Sequence, residues 1–416
     1  MKKVLVCAFC INGWLMFGQP TWVANMDENK VGPIVLPEVL KKADGNLVQN
    51  VAEWEQQRLY WLHQFETHMY GTMPQKTLPI TAELQNKQTV LGGKGIQYQW
   101  TITIAGKHRV DILGLFPAAS QKAPVFLGLN FCGNHTTTDN QNIPIHDKYV
   151  VCNESPHFIK NHSQESSRGS SGSRWPYEAI LEAGLGSITA SCADFEEDHA
   201  EGYRQGVRST LAKELGLAPE EWSALSAWAW GLSRMMDFVE TLPWVDVGKV
   251  IVHGHSRLGK AALWAGANDR RFAGVISNNS GEGGAALTRR NFGEDLWRIT
   301  TSFPHWFVPR FKSYAGQEKT LPFDQHILLA LMAPRPLYVA SAIEDQWADP
   351  RGEFLSAYHA GNVYALYGKK GLETPALPAV NTPVGQQVRY HLRSGGHDIN
   401  AYDWAQYIKF VQELIK

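Results

Sequence analysis

The 416-residue chain carries little charge and almost no imbalance of it: 39 Lys and Arg face 40 Asp and Glu, and charged residues make up only 19%. No basic surplus is available to meet phosphates, which argues against a nucleic-acid partner. Disorder is excluded as well, because a disordered chain needs low hydrophobicity and high net charge, and here 44% of residues are hydrophobic. Cysteine is scarce. Of the five, Cys7 and Cys10 lie in an apolar N-terminal stretch, leaving Cys132, Cys152 and Cys192. Three cysteines allow at most one disulfide, and their places at or after strand-like runs favour buried small hydrophobes. The remainder has no Cys-x-x-Cys pair, and His-Glu-x-x-His is absent, so neither a metal nor a cofactor is expected.

Long apolar runs are missing too. The one apolar stretch of note, Val4 to Phe17, follows Met1-Lys2-Lys3 and spans about 14 residues, too short for a membrane helix of roughly 20. A basic start, an apolar run and then Ala24 read as a secretory signal over residues 1–24, with Trp22 an awkward residue so near the cut. The mature chain, 25–416, is expected to be exported (secreted or periplasmic), with no membrane association and as a monomer.

What the chain does have is 15 Trp and 37 Gly. Residues 36–70 read as an amphipathic helical extension stopping at Gly71. Alternation dominates from Ile80 to Phe116. Pro124-Val-Phe-Leu-Gly-Leu-Asn-Phe131 is a strand needing cover on both faces. Strand and helix patterns then alternate through Gly186–Ser191, Trp222–Leu242, Lys249–His253, Phe272–Ser277, Pro336–Ser341 and Arg389–Leu392. The expectation is a single α/β domain, a mostly parallel sheet with helices on both faces.

Chemistry concentrates in Lys249-Val-Ile-Val-His-Gly-His-Ser-Arg-Leu-Gly-Lys260. A strand enters a sharp turn with Ser256 at its apex and leaves as a helix, the form of a nucleophile elbow. It departs from G-x-S-x-G in one respect: the second glycine is Gly259, and Leu258 holds its usual place. The same residues fit a phosphate-loop spacing up to Lys260, but Ala261 stands where a magnesium-binding Ser or Thr is required. A serine nucleophile on such a sheet needs an acid and then a histidine further along the chain. His397 lies in a flexible turn (Ser394-Gly-Gly-His397) after the last strand, whereas His326, His359 and His391 fall inside helix or strand patterns. For the acid, Asp345 ranks first, then Asp349 and Glu344, with Glu282 more distant.

Gly254-His-Ser-Arg-Leu-Gly-Lys260 resembles the G-x-S-R-x-G-K signature of glucuronoyl esterases, carbohydrate esterase family 15, in its bacterial branch. Ser167–Glu178, Asn278–Ala285, Phe303–Trp306, Ala333–Pro336, Asp345–Pro350 and Gly395–Asp398 extend the likeness over roughly residues 50 to 416. The resemblance implies an α/β-hydrolase fold and cleavage of esters joining lignin alcohols to the (4-O-methyl-)glucuronic acid of xylan. It implies Ser256 as nucleophile, His397 as base and Asp345 as acid. Fungal relatives carry the acid near the positions of Asn278 and Asn279, where this chain has no carboxylate. They also have cysteine where His255 stands, so the fungal disulfide at that point is absent. Arg257 then supplies an oxyanion N–H and an adjacent guanidinium. Lys260, one helical turn past Ser256, can reach sugar hydroxyls beside it, and the resemblance implies that Glu294 and Trp347 contact the sugar. An acetyl or feruloyl xylan esterase is the alternative among enzymes, and a xylan-binding protein with an idle hydrolase fold the alternative outside them.

Overall fold

A computed structural model describes residues 22–118, 122–152 and 157–415. The expected leader therefore lies outside the described residues except for Trp22–Ala24. Ten strands form one sheet: β1 (Ile80–Val90), β2 (Gly95–Ile104), β3 (His108–Pro117), β4 (Ala123–Asn130), β7 (Gly186–Ser191), β8 (Val245–His255), β9 (Gly274–Asn278), β10 (Leu337–Ala342), β11 (Val384–Gly385) and β12 (Val388–Arg393). A separate small hairpin pairs β5 (Phe158–Ile159) with β6 (His162–Ser163).

The sheet order is β1-β2-β3-β7-β4-β8-β9-β10-β12-β11. Strands β7 through β12 in that order run parallel, while β1 to β3 and β11 join antiparallel at the edges. Chain order reverses direction across the sheet between β4 and β8, so the crevice at the carboxyl ends of these strands is where a ligand site is expected.

The parallel strands are apolar on both faces because both are covered. Val125, Leu127, Val250, Val252, Val275 and Val339 turn one way, into a core shared with the helices Ala224–Val239 and Arg257–Asn268. Phe126, Ile251, Ile276 and Tyr338 turn the other way, against Ile180, Trp404 and Phe410. The period of two in β4, β8, β9 and β10 thus sorts consecutive residues to opposite layers. Trp54, Trp228, Trp230 and Trp264 are fully buried in the first layer.

Two expectations need correction. Helix occupies Val51–Phe65, continued by a π turn at Glu66–Tyr70, rather than all of residues 36–70. The stretch before it contains an Asp44-Gly45 turn: Gly45 has φ of 86°, and the Asn46 N–H donates to the Asp44 carboxylate at 2.9 Å. That local chemistry breaks a helix whatever the apolar spacing. Asn50 then caps the true start through the Glu53 N–H. Cys132 and Cys152 are not free hydrophobes but are joined in a disulfide, with their Cα atoms 6.0 Å apart. Cys192 is free and buried, and burial pushes its thiol up to about 12.

Candidate active site

Three loops at the carboxyl ends of β8, β10 and β12 converge. Ser256 follows β8 directly and has φ of 56° and ψ of −130°, a strained conformation that lifts its side chain out of the turn. Its N–H donates to the Asn278 carbonyl at the end of neighbouring β9 (2.9 Å), which helps lock the turn. A Cβ on Gly254 would collide with the Leu258 backbone, so the helix can start this tightly only over glycine.

His397 Nε2 stands 2.9 Å from Ser256 Oγ, and Nδ1 stands 2.6 Å from Asp345 Oδ2. A carboxylate only accepts, so Nδ1 carries the proton and the lone pair on Nε2 faces the serine. Asn279 donates to the same Asp345 oxygen at 2.7 Å. Burial raises the Asp345 carboxyl, but the bond to His397 and the Asn279 amide outweigh this and hold it below the ordinary value. The histidine turn is braced from beneath. Arg393, buried, pairs with Asp403 at 2.8 Å and donates to the carbonyls of Ser394, Gly396 and Asp398.

None of the other candidate acids bonds His397. Asp349 pairs with Arg290 at 2.7 Å and caps the helix Pro350–Leu366 through the Gly352 N–H. Glu344 sits in the same loop as Asp345 with its N–H on the Gly395 carbonyl (3.1 Å). Glu282 is buried and accepts from Thr288 at 2.8 Å.

Arg257 opens the helix after Ser256. Its guanidinium lies over the Phe131 ring (4.5 Å to the centroid), donates to the Val151 carbonyl at 2.8 Å and forms an ion pair with Asp198 at 2.6 Å. Asp198 also accepts from His305 and from the Trp306 indole. Burial alone would raise Asp198; Arg257 and His305 together hold it below its usual range. Ser256, Arg257 and His397 border a cavity of about 560 Å³ whose far wall includes Phe131, the Cys132–Cys152 bridge and Arg174.

Lys260, Glu294 and Trp347 form a second group on another side of the elbow. The Lys260 ammonium is buried, donates to the Ser280 carbonyl and lies 5.8 Å from the Trp306 ring centre. Burial lowers its pKa, against the pull of Glu294, Glu282 and Glu353. Burial likewise raises Glu294, while Lys260 and a hydrogen bond from the Trp347 indole draw it back. The Glu294 N–H donates to the Trp347 carbonyl at 2.9 Å. Trp347 is 38% exposed, so it is not a core tryptophan. Trp22 packs edge-on against it at 5.7 Å and stacks on Trp297, with its indole N–H on Asp295.

Sequence reasoning missed three supports: Asp198, Arg393 and Glu353. Glu353 accepts from the Ser280 and Gly281 N–H groups and from Ser341, tying the ends of β9 and β10 together, and burial pushes it up to about 8. A buried-type position holding Arg or Glu within an apolar pattern is the one signal that marked Arg393 and Glu353 beforehand; Asp198, in a polar run, carries none. No cluster of three or more metal-binding side chains occurs among the described residues, and no described helix is long and apolar enough to cross a membrane.

A family model for fungal glucuronyl esterase matches residues 177–368. Carbohydrate esterase MZ0003, from an unknown prokaryotic organism, is 44% identical over 393 residues, 93% of this chain and 91% of its own. A promiscuous CE15 esterase from a marine bacterial metagenome superposes with a TM-score of 0.88 at 42% identity, covering 94% of this chain and 100% of that one. The glucuronoyl esterase from Solibacter usitatus gives 0.86 at 43%, covering 92% and 99%. With a near full-length relative at that identity, the chain belongs to carbohydrate esterase family 15, the glucuronoyl esterases.

Proposed function

We propose that this chain is a serine esterase that hydrolyses the ester between the carboxyl of (4-O-methyl-)glucuronic acid on xylan and a lignin alcohol, working outside the cytoplasm. The observation that carries the reading is the continuous line Asp345–His397–Ser256 set beside the Lys260–Glu294–Trp347 group. His397 Nε2 takes the Oγ proton as Ser256 attacks the ester carbonyl carbon. The oxyanion that forms meets the Arg257 N–H at the helix start and its guanidinium. Collapse breaks the bond to the alcohol oxygen, which receives the proton from His397, and leaves the glucuronoyl group on Ser256. Water, deprotonated by the same histidine, then releases the acid. Lys260, buried, and Glu294, partly exposed, present a donor and an acceptor to ring hydroxyls. Trp347 offers an exposed ring to the sugar.

Purified protein should be assayed on benzyl and methyl glucuronate, acetylated xylan, a feruloyl ester and p-nitrophenyl acetate, with Ser256→Ala as control. The expected result is glucuronate turnover that falls by roughly 10⁶ in the variant. Preference for the acetyl or feruloyl esters would move the activity to another xylan ester, an outcome the panel must include because the marine relative is described as promiscuous. Binding of xylan oligosaccharides without alcohol release would leave an idle hydrolase fold.

A further inference from the structure

Two segments remote in sequence meet the Arg257 guanidinium from different sides. Phe131, just past β4, presents its ring face, and Val151 presents its carbonyl. Each is followed at once by a cysteine, Cys132 and Cys152, and these two are bonded to each other across a sequence separation of 20. We propose that the Cys132–Cys152 disulfide is a positioning element of the esterase site: by tying residue 132 to residue 152 it clamps the Phe131 ring and the Val151 carbonyl onto Arg257 and so holds its guanidinium beside Ser256. This rests on the role given above to Arg257.

The clamp has something to oppose. On its remaining side the guanidinium is ion-paired with Asp198, a buried carboxylate fixed by His305 and Trp306. A charge-assisted contact outcompetes a neutral carbonyl and a ring face, so an untethered Arg257 would follow Asp198. The Val151 segment is anchored just before that residue, where the Tyr149 N–H donates to Glu197 at 3.3 Å and Val150 is buried. It belongs to no strand; Val150 exchanges hydrogen bonds with Asn161 at 2.8 and 3.1 Å. On the other branch, the Cys132 carbonyl accepts from Ser163 at 3.2 Å. The bridge joins these two loops into one jaw at the guanidinium, and both of its cysteines line the cavity that contains Ser256. Cys192, the remaining cysteine outside the N-terminal stretch, is buried and does not compete.

The test compares oxidised protein, protein reduced in the folded state by a phosphine, and Cys132→Ser/Cys152→Ser, each in wild-type, Arg257→Lys and Arg257→Ala backgrounds, with thermal melts confirming the fold. Opening the bridge should lower kcat on benzyl glucuronate about tenfold while KM changes far less, since a small misplacement acts on the transition state. In Arg257→Ala the same opening should change nothing. Equal fractional losses in wild type and Arg257→Ala, or no loss in wild type while Arg257→Ala is impaired, would overturn the clamp and leave the role of Arg257 standing. Full activity in Arg257→Ala would remove that role, and the clamp with it. If the wild type turns over no glucuronate, the Arg257 Nε–H resonance decides: a shift on reduction supports the clamp, and an unchanged resonance overturns it.

Discussion

At the scale of single residues, the site distinguishes carboxylates that look alike in the sequence. Asp345 and Asp349 lie in one short loop, yet only Asp345 reaches His397, at 2.6 Å, while Asp349 is taken by Arg290 and a helix cap. Asp345→Asn should therefore cost about 10⁴ in kcat by favouring the wrong histidine tautomer, with little change in melting temperature. Asp349→Ala should do the reverse, keeping turnover per folded molecule and losing about 1–3 kcal/mol of stability through the cap and a buried Arg290 left with Glu28 alone. Asn279 sharpens this further. Its amide sits 2.7 Å from the same Asp345 oxygen, near where fungal relatives carry their acid, so a carboxylate there would lie close to His397 as well. Asp345→Asn combined with Asn279→Asp should recover part of the lost kcat, measured on benzyl glucuronate. No recovery would mean that position 279 cannot reach the imidazole. The order of serine, acid and histidine was legible in the sequence because chain order and strand ends constrain it. Asp198 was not, since its partner Arg257 is brought to it only by folding.

At the scale of elements, the strand-turn-helix from Val245 to Asn268 was readable because apolar run, apex and helix signals coincide within one stretch. The displaced glycine now has a physical account. The position that tolerates no side chain is Gly254, where a Cβ would strike the Leu258 backbone. Gly259 packs less tightly: a Cβ there would lie 3.1 Å from the Gly254 carbonyl oxygen and from Ser280 Cβ. Leu258 is buried in the core and needs no glycine in its place. Gly254→Ala should thus abolish turnover and reduce soluble yield, whereas Gly259→Ala should fold and retain most of its kcat. Similar losses in the two would place the constraint elsewhere. The elements misjudged from sequence were those set by short-range polar chemistry or by long-range closure. The Asp44-Gly45 turn ended a helix pattern early, and the Cys132–Cys152 pairing depends on how two loops meet. Apolar periodicity carries no information on either.

At the scale of the whole molecule, near-neutral charge hides a set of buried histidines that must stay neutral. Burial pushes His108 and His135 down to about 4 and His253 and His326 down to about 3, from an ordinary 6.5. Below pH 6.5 the unfolded chain gains protons there that the folded chain refuses, so their stabilisation is complete above 6.5 and is lost as pH falls from 6.5 toward 4 and 3. Glu353 works in the opposite direction. Its folded pKa is about 8 against 4.5, so the folded chain keeps a proton that the unfolded chain has released, and stability declines as pH rises from 4.5 through 8. Above 6.5 the histidines no longer act, while Glu353 and the likewise raised Glu282 and Glu294 pull stability down as they ionise. Melting temperature should accordingly decline from pH 6.5 toward pH 8, and each of the four histidines should pull it down between pH 6.5 and 5. His326 offers a check on the cause, because it lies away from the triad with its ring N–H on the Pro37 carbonyl at 2.9 Å. A glutamine amide can keep that bond without titrating. His326→Gln should therefore recover about 2 kcal/mol of the loss at pH 5, one site's linkage over 1.5 pH units, and leave the pH 8 side unchanged. A His326→Gln melting curve that falls toward pH 5 as far as the wild type's would show that this ring accepts a proton without unfolding the chain.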